Sequence, residues 1–482
     1  MTNSNHFHPH SFGFLNSRER DGLVFSNRRN FIKAGLAGIG GLTLPRLLEH
    51  RAEAAKAGKS LQGKKSVILL WMAGGPSQID TWDPKPDRPL QNRGPFGTIP
   101  TSVPGVRFCE HIPKQAALME KLTIIRSVDA QGSNHEPNTV FQTANREAEP
   151  RTNPIAKHYP AIGSIIAKHH GSNHPAMPAY ISFSKARGHI AYAGYLGRQY
   201  DPFPGGRATK LPIYDLVGKD SGEVSQGDLF KLPLEVNLDR IGDRTRLLKK
   251  FDALRKEMDN TGNFDAMDKF GQQAIEIVAG SKARFAFDLS KEPESTREKY
   301  GKHLWCQQAL LARRLVEAGV SFVTLDLSYH TASGTWDTHG DNIPPYGGIS
   351  KGLKPLLPLF DHLFSTLILD LEQRDLLDDV LVIAMGEFGR TPLMGTQGST
   401  DGRNHWPKIM SMALAGGGLK HGQVIGASEA DGGTIKERPI LPGDLAATIY
   451  QHMQVPLDTT YLDHSGRPRF ILDHGQPIRE LF

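Results

Sequence analysis

Asp337, His339, Glu387 and His405 are carboxylates and imidazoles set in short polar segments rich in Gly, Asn and Pro. Carboxylate and imidazole donors together suit Zn²⁺, Mn²⁺ or Fe²⁺, whereas oxygen donors alone would favour Mg²⁺ or Ca²⁺. The first pair belongs to Trp336-Asp337-Thr338-His339-Gly340-Asp341-Asn342. Glu387 opens Glu387-Phe388-Gly389-Arg390-Thr391-Pro392, and His405 lies in Gly402-Arg403-Asn404-His405-Trp406-Pro407. Small residues beside Glu387 let backbone and ligand approach closely, and Arg390 supplies a fixed cation suited to an oxyanion. The residue types therefore point to a divalent transition metal, Zn²⁺ or Mn²⁺ ahead of Mg²⁺ or Ca²⁺. The bland alternatives are an Asp337 that caps a turn, a Glu387 that pairs with Arg390 and holds its loop, and a His405 packed on Trp406.

Such residues need rigid elements to bring them together. Residues 379–385 form a β-branched and aliphatic run that reads as a buried parallel strand and stops at Gly386-Glu387. Residues 321–325 read as a second strand, and leucines recurring at helical spacing over 349–374 join the two. Strand, Asp/His loop, helix, strand and Glu make a βαβ unit whose polar residues gather at the strands' C-terminal edge, where open α/β sheets hold ligands. Further strands are expected at 65–72, 122–128, 178–183 and 409–415, and helices at 154–170, 302–319 and 442–453. The fold class is α/β, a mostly parallel central sheet with helices on both faces. Residues 185–301 read as an insertion or cap, loop-rich to 227 and then helical around 240–259 and 266–285.

Two other loops carry candidates. The first strand ends in Ala73-Gly74-Gly75-Pro76-Ser77-Gln78-Ile79-Asp80-Thr81-Trp82-Asp83, which lacks the glycine spacing and the lysine of phosphate-binding loops. Its polar side chains are Ser77, Asp80 and Asp83. The second strand leads into Gly132-Ser133-Asn134-His135-Glu136-Pro137. Pro137 fits the first turn of a helix, which would place Ser133 and His135 at its positive end, ready for an anion. Ser133 is equally suited to capping that helix.

The chain has 482 residues and a formal charge of +6, but residues 1–57 hold eight Lys/Arg against four Asp/Glu. Most of the basic excess is thus local, and no basic stripe elsewhere supports a nucleic-acid partner. That segment contains Ser26-Asn27-Arg28-Arg29-Asn30-Phe31-Ile32-Lys33 followed by a Gly-rich apolar stretch to Leu44. Twin arginines before such a stretch mark a twin-arginine export signal. The stretch is shorter than the ~20 residues a membrane span needs, and Ala52-Glu53-Ala54 offers a small-x-small cleavage site. Residues 1–57 are therefore expected to be leader, and 58–482 the α/β domain, periplasmic or on the cell surface. Cys109 and Cys306 are the only cysteines, which permits one disulfide and excludes a thiolate zinc site.

Together, the leader, Leu70-Trp-Met-Ala-Gly-Gly-Pro-Ser-Gln-Ile-Asp80-Thr-Trp-Asp-Pro84, Trp336-Asp-Thr-His-Gly-Asp341, Gly386-Glu-Phe-Gly-Arg-Thr-Pro392 and Gly402-Arg-Asn-His-Trp-Pro407 resemble the domain of unknown function 1501 family. That family comprises exported proteins common in planctomycete-like bacteria and is placed in the alkaline-phosphatase-like superfamily, with the sulfatases. The resemblance covers essentially all of the mature chain. It implies metal ligands at Asp337, His339, Glu387 and His405, an opening acidic ligand at Asp80 or Asp83, and a nucleophile at Ser133 or His135. His330, four residues after Asp326, copies the spacing of one phosphatase metal pair. The chain departs from the superfamily where Phe388 replaces a metal-binding His, so one ion fits better than two. No Cys-x-Pro-x-Arg motif supports a formylglycine.

These residues leave two classes of function open. The first is an exported metal-dependent hydrolase of phosphate or sulfate esters, in which the metal and Ser133 or water act while Arg390 or Arg403 holds the non-bridging oxygens. The second is a non-catalytic cell-envelope protein whose degenerate site binds an anion or glycan. Both need export, with the twin-arginine translocase as a transient partner. Arg28→Lys combined with Arg29→Lys should leave the precursor in the cytoplasm in a fractionation assay, and undiminished export of that double variant would show that another signal is read.

Overall fold

The computed structural model describes residues 64–132, 140–145, 158–183, 190–207, 211–215, 219–224, 281–328, 335–340, 347–395 and 398–482. All lie in a compact unit that begins at Gly63. The expected helices at 240–259 and most of 266–285, like Arg28 and Arg29, fall outside the described residues.

Eight strands form the central sheet: β1 (Ser66–Trp71), β2 (Leu122–Val128), β3 (Tyr180–Phe183), β4 (Phe203–Pro204), β5 (Phe322–Asp326), β6 (Val380–Met385), β7 (Met410–Gly416) and β8 (Gln423–Ile425). Their order across the sheet is β8-β2-β7-β6-β1-β5-β3-β4. The pairs β6–β1, β1–β5, β5–β3, β3–β4 and β8–β2 are parallel. Strand β7 pairs antiparallel with both β6 and β2, so it alone runs against the others. The sheet is mostly parallel, with helices on both faces, as its apolar strand runs require.

Alternation along each strand sets the layers. Ile68, Leu70 and Met72, with Val382 and Ala384, belong to a core shared with α2 (Leu304–Ala318) and α3 (Lys354–Gln373). Val67, Leu69 and Trp71, with Leu381, Ile383 and Met385, belong to a second core shared with α1 (Ile162–His169) and α4 (Pro442–His452). β1 and β6 are buried along their whole length. That accounts for their continuous apolar sequence, in place of an amphipathic alternation. Helix α3 starts later than its leucine periodicity suggests, because Gly348–Leu353 form a wider turn before it.

The described end of the expected insertion, Ser281–Phe287 and Glu294–Tyr300, is tied to this scaffold by charge. Glu292 accepts from Arg313 of α2 at 2.6 Å and from Arg374 beyond α3 at 2.8 Å. Cys109 and Cys306 are both buried and unpaired, so the disulfide that the sequence permitted is not formed. Burial pushes each thiol up to about 12, which keeps both protonated at neutral pH. Among the described residues, no helix is long and apolar enough to cross a membrane.

Candidate metal centre

β6, β1 and β5 are neighbours, and Met385, Trp71 and Asp326 lie side by side at their C-terminal ends. The loops after all three strands therefore leave from one edge. They are fastened to each other at once: Met72 donates its N–H to Met385 O, Leu327 to Trp71 O, and Trp336 to Ala73 O, at 2.8–3.1 Å. Trp336 is fully buried, its indole N–H donates to Leu327 O at 3.0 Å, and its ring meets Phe360 edge-on. This side chain anchors the segment that carries Asp337 and His339.

Two glycines permit the loops to touch. Gly74 has φ of +116°, and a Cβ there would lie 2.4 Å from the Asp337 nitrogen. A Cβ on Gly402 would lie 1.9 Å from the His339 carbonyl oxygen. Only hydrogen at both positions lets the β1 loop and the His405 loop pack directly on the Asp337–His339 backbone. His405, expected on an irregular loop, lies on a short strand, His405–Trp406, that pairs antiparallel with Gly389–Arg390. Arg390 is its direct partner.

This brings Asp337, His339 and His405 together as a set of metal-compatible donors. His339 Nε2 lies 2.9 Å from His405 Nε2 and 2.9 Å from Asp337 Oδ1. His405 Nε2 lies 3.6 Å from the same oxygen. Donors about 2.0–2.2 Å from a tetrahedral ion stand about 3.3 Å apart, so a divalent transition metal fits these three. With three donors among the described residues, a tetrahedral ion would have a position for one further ligand. The Asp337 side chain is buried, that of His339 nearly so, and that of His405 is 32 % exposed, so access is from the His405 side. Phe388, fully buried, packs its ring 4.7 Å from that of His405.

Two buried arginines hold the loops in place. Arg390 donates from Nε to Gly75 O (3.0 Å), from Nη1 to Arg403 O (3.2 Å), and from Nη2 to Gly74 O and to Asp337 Oδ1 (2.5 Å). Arg403 donates from Nε to Asp80 Oδ2 (2.7 Å), and to the carbonyls of Thr391, Pro392 and Asn92 at 2.7–3.0 Å. Both are fully buried. Arg390 or Arg403 was expected to hold an ester's oxygens; in the structure each makes four hydrogen bonds to carbonyls and carboxylates of the protein itself.

Asp80 also differs from expectation. It forms a buried pair with Arg403 and accepts from Ser77 Oγ at 2.5 Å, and it is not one of the converging donors. Asp83 is bound to Lys85, Arg126 and Ser428. Glu387 lies outside the triad too. Its Oε1 accepts the Gly74 N–H at 2.8 Å, which steadies the β1 loop. Ser133, His135 and His330 fall outside the described residues. Gln78, absent from the residues singled out in the sequence, clamps the Arg390 backbone by donating to its carbonyl (2.8 Å) and accepting from its N–H (2.9 Å). A Gln inside a glycine-rich loop was the available signal.

A family model described as a protein of unknown function, DUF1501, matches residues 64–482. The chain belongs to the DUF1501 family. Among curated proteins, none matches it. Solved structures similar to this DUF1501 chain include a sulfatase from Pseudoalteromonas sp., at 10 % identity and a TM-score of 0.36, covering 84 % of this chain and 70 % of that one. A phosphonate monoester hydrolase from Silicibacter pomeroyi has 11 % identity and a TM-score of 0.34, with 86 % and 76 % covered. The lipoteichoic acid synthase LtaP from Listeria monocytogenes has 8 % identity and a TM-score of 0.31, with 84 % and 78 % covered. Likeness this low carries no residue, substrate or metal across to the DUF1501 chain.

The Asp80–Arg403 pair has a measurable consequence. Removing one partner strands the other in the interior, at a cost of about 3–5 kcal/mol. Asp80→Asn and Arg403→Gln should each lower stability strongly in denaturant unfolding. Their combination should cost less than the sum, with a coupling of about 1–3 kcal/mol. Strict additivity would show that the pair does not hold the loops together.

Proposed function

We propose that this DUF1501 chain is an exported, metal-dependent hydrolase of phosphate or sulfate esters. The observation that carries the reading is the convergence of one carboxylate and two imidazoles, with the donor separations given above, at the C-terminal edge of a parallel sheet. Asp337, His339 and His405 would hold one divalent ion, with Zn²⁺ or Mn²⁺ better suited than Mg²⁺ or Ca²⁺ to two nitrogen donors. When bound, the ion supplies Lewis-acid polarisation of an ester oxygen and lowers the pKa of bound water.

The chain's own residues do the rest. Arg390 fixes Asp337 through its side chain and His405 through strand pairing, so the donors are set before any ligand arrives. His405, the most exposed of the three, borders the approach route. Phe388 covers one side of its ring and limits its rotation. Export through the twin-arginine pathway is part of this proposal, since that route carries folded proteins across the membrane.

One observation favours the alternative of a non-catalytic anion- or glycan-binding protein. Arg390 and Arg403 are engaged with the protein itself, which leaves transition-state oxygens without their support. Metal analysis of the purified protein, followed by assay on aryl phosphates and aryl sulfates, separates the two. His405→Ala should cut turnover at least about tenfold and shift the thermal midpoint little, because a partly exposed side chain leaves no large apolar cavity. A metal-free protein inert on every ester would end the hydrolase reading. A metal-binding but inert one would favour the binding reading.

A further inference from the structure

With a metal at the triad, the sharing of Asp337 decides how much charge the ion still lacks. Its Oδ1 is the atom that faces both imidazoles, and the same atom accepts Nη2 of Arg390 at 2.5 Å. Arg390 is fully buried, so water does little to dilute its charge. A carboxylate ligand ordinarily offsets part of a metal's charge. Here a guanidinium has already been placed against that carboxylate. The other two donors are imidazoles, which bind metals in their neutral form.

Glu387 Oε1 accepts the Gly74 N–H, and the Gly74 carbonyl accepts from Arg390. Among the described residues, a divalent ion at the triad would share its one carboxylate donor with a buried cation, on the side where His405 opens to solvent. Nor do Arg390 and Arg403 offer a separate anion cradle, since both are fully buried and each makes four hydrogen bonds to the protein's own oxygens.

Resting on the metal-dependent reading of this site, we propose that Asp337, His339 and His405 take their metal and an oxyanion cooperatively. The Arg390-paired carboxylate leaves the metal weakly held by the protein alone, and the anion completes both its charge and its coordination. Among the described residues, neither Arg390 nor Arg403 gives the anion a site without the metal. By linkage, each must tighten the other by the same factor.

The test uses the full-length protein, stripped by chelator and titrated with Mn²⁺ by calorimetry. One titration is run in perchlorate, the other at the same ionic strength with saturating sulfate as the probe anion. The metal Kd should fall at least about tenfold in sulfate, within the usual range of coupling between sites. Sulfate should not bind the metal-free protein, and should bind the loaded one with the reciprocal gain. An anion-independent Kd, or equal sulfate binding with and without metal, would overturn this inference and leave the hydrolase reading standing. A protein that takes no metal in either medium would overturn both. Arg390→Gln, if its circular dichroism shows it folded, should lose most of the coupling. Undiminished coupling in that folded variant would remove Arg390 from the account. The wild-type titrations decide the main point whether or not the variant folds.

Discussion

A guanidinium buried without water must have nearly all its N–H groups matched, and Arg390 meets that demand from three different loops. Its partners are carbonyls of the β1 loop, a carbonyl of the His405 loop, and the Asp337 carboxylate after β5. Each loop leaves a different strand. An unpaired buried charge is costly enough that the loops have little freedom to sit elsewhere. The metal-compatible geometry is a by-product of that requirement. Once Arg390 is satisfied, Asp337 and the strand carrying His405 have one place to be.

Arg403 repeats the device one layer away, joining Asp80 of the β1 loop to the carbonyls of Thr391, Pro392 and Asn92. Arg403 O is also an acceptor for Arg390, so the two cations form one connected network. Rigidity achieved in this way has a functional cost. The same arginines that preorganise the donors are withdrawn from direct contact with a substrate.

Much of the scaffold was legible in the sequence because long apolar runs leave few choices. The strands at 66–71, 122–128, 322–326, 380–385 and 410–416 and the helices from 304, 354 and 442 fall close to where periodicity and turn residues put them. The direction of β7 was not legible, since pairing depends on partners distant in sequence. At the site, Asp337, His339 and His405 stood out by residue type and loop context, and the fold brings them together. Roles that depend on who meets whom did not. Asp80 and Glu387 are carboxylates in the same kind of loop, and only three-dimensional proximity reveals that one answers Arg403 and the other the Gly74 N–H. Arg390 has the chemistry of an anion clamp, but its complete burial changes its use. Burial of a charged residue is a property of the assembled loops, and a single sequence does not display it.

The central claim is that Asp337, His339 and His405 form a metal centre held in shape by Arg390. The most direct measurement is anomalous diffraction at the zinc or manganese absorption edge from crystals of the purified protein soaked in that ion. The account predicts one strong peak about 2.0–2.2 Å from Asp337 Oδ1 or Oδ2 and from an imidazole nitrogen of both histidines, with Arg390 still bonded to Asp337. A triad without a peak at saturating metal, or a peak centred on Asp80 or Glu387 instead, would contradict it.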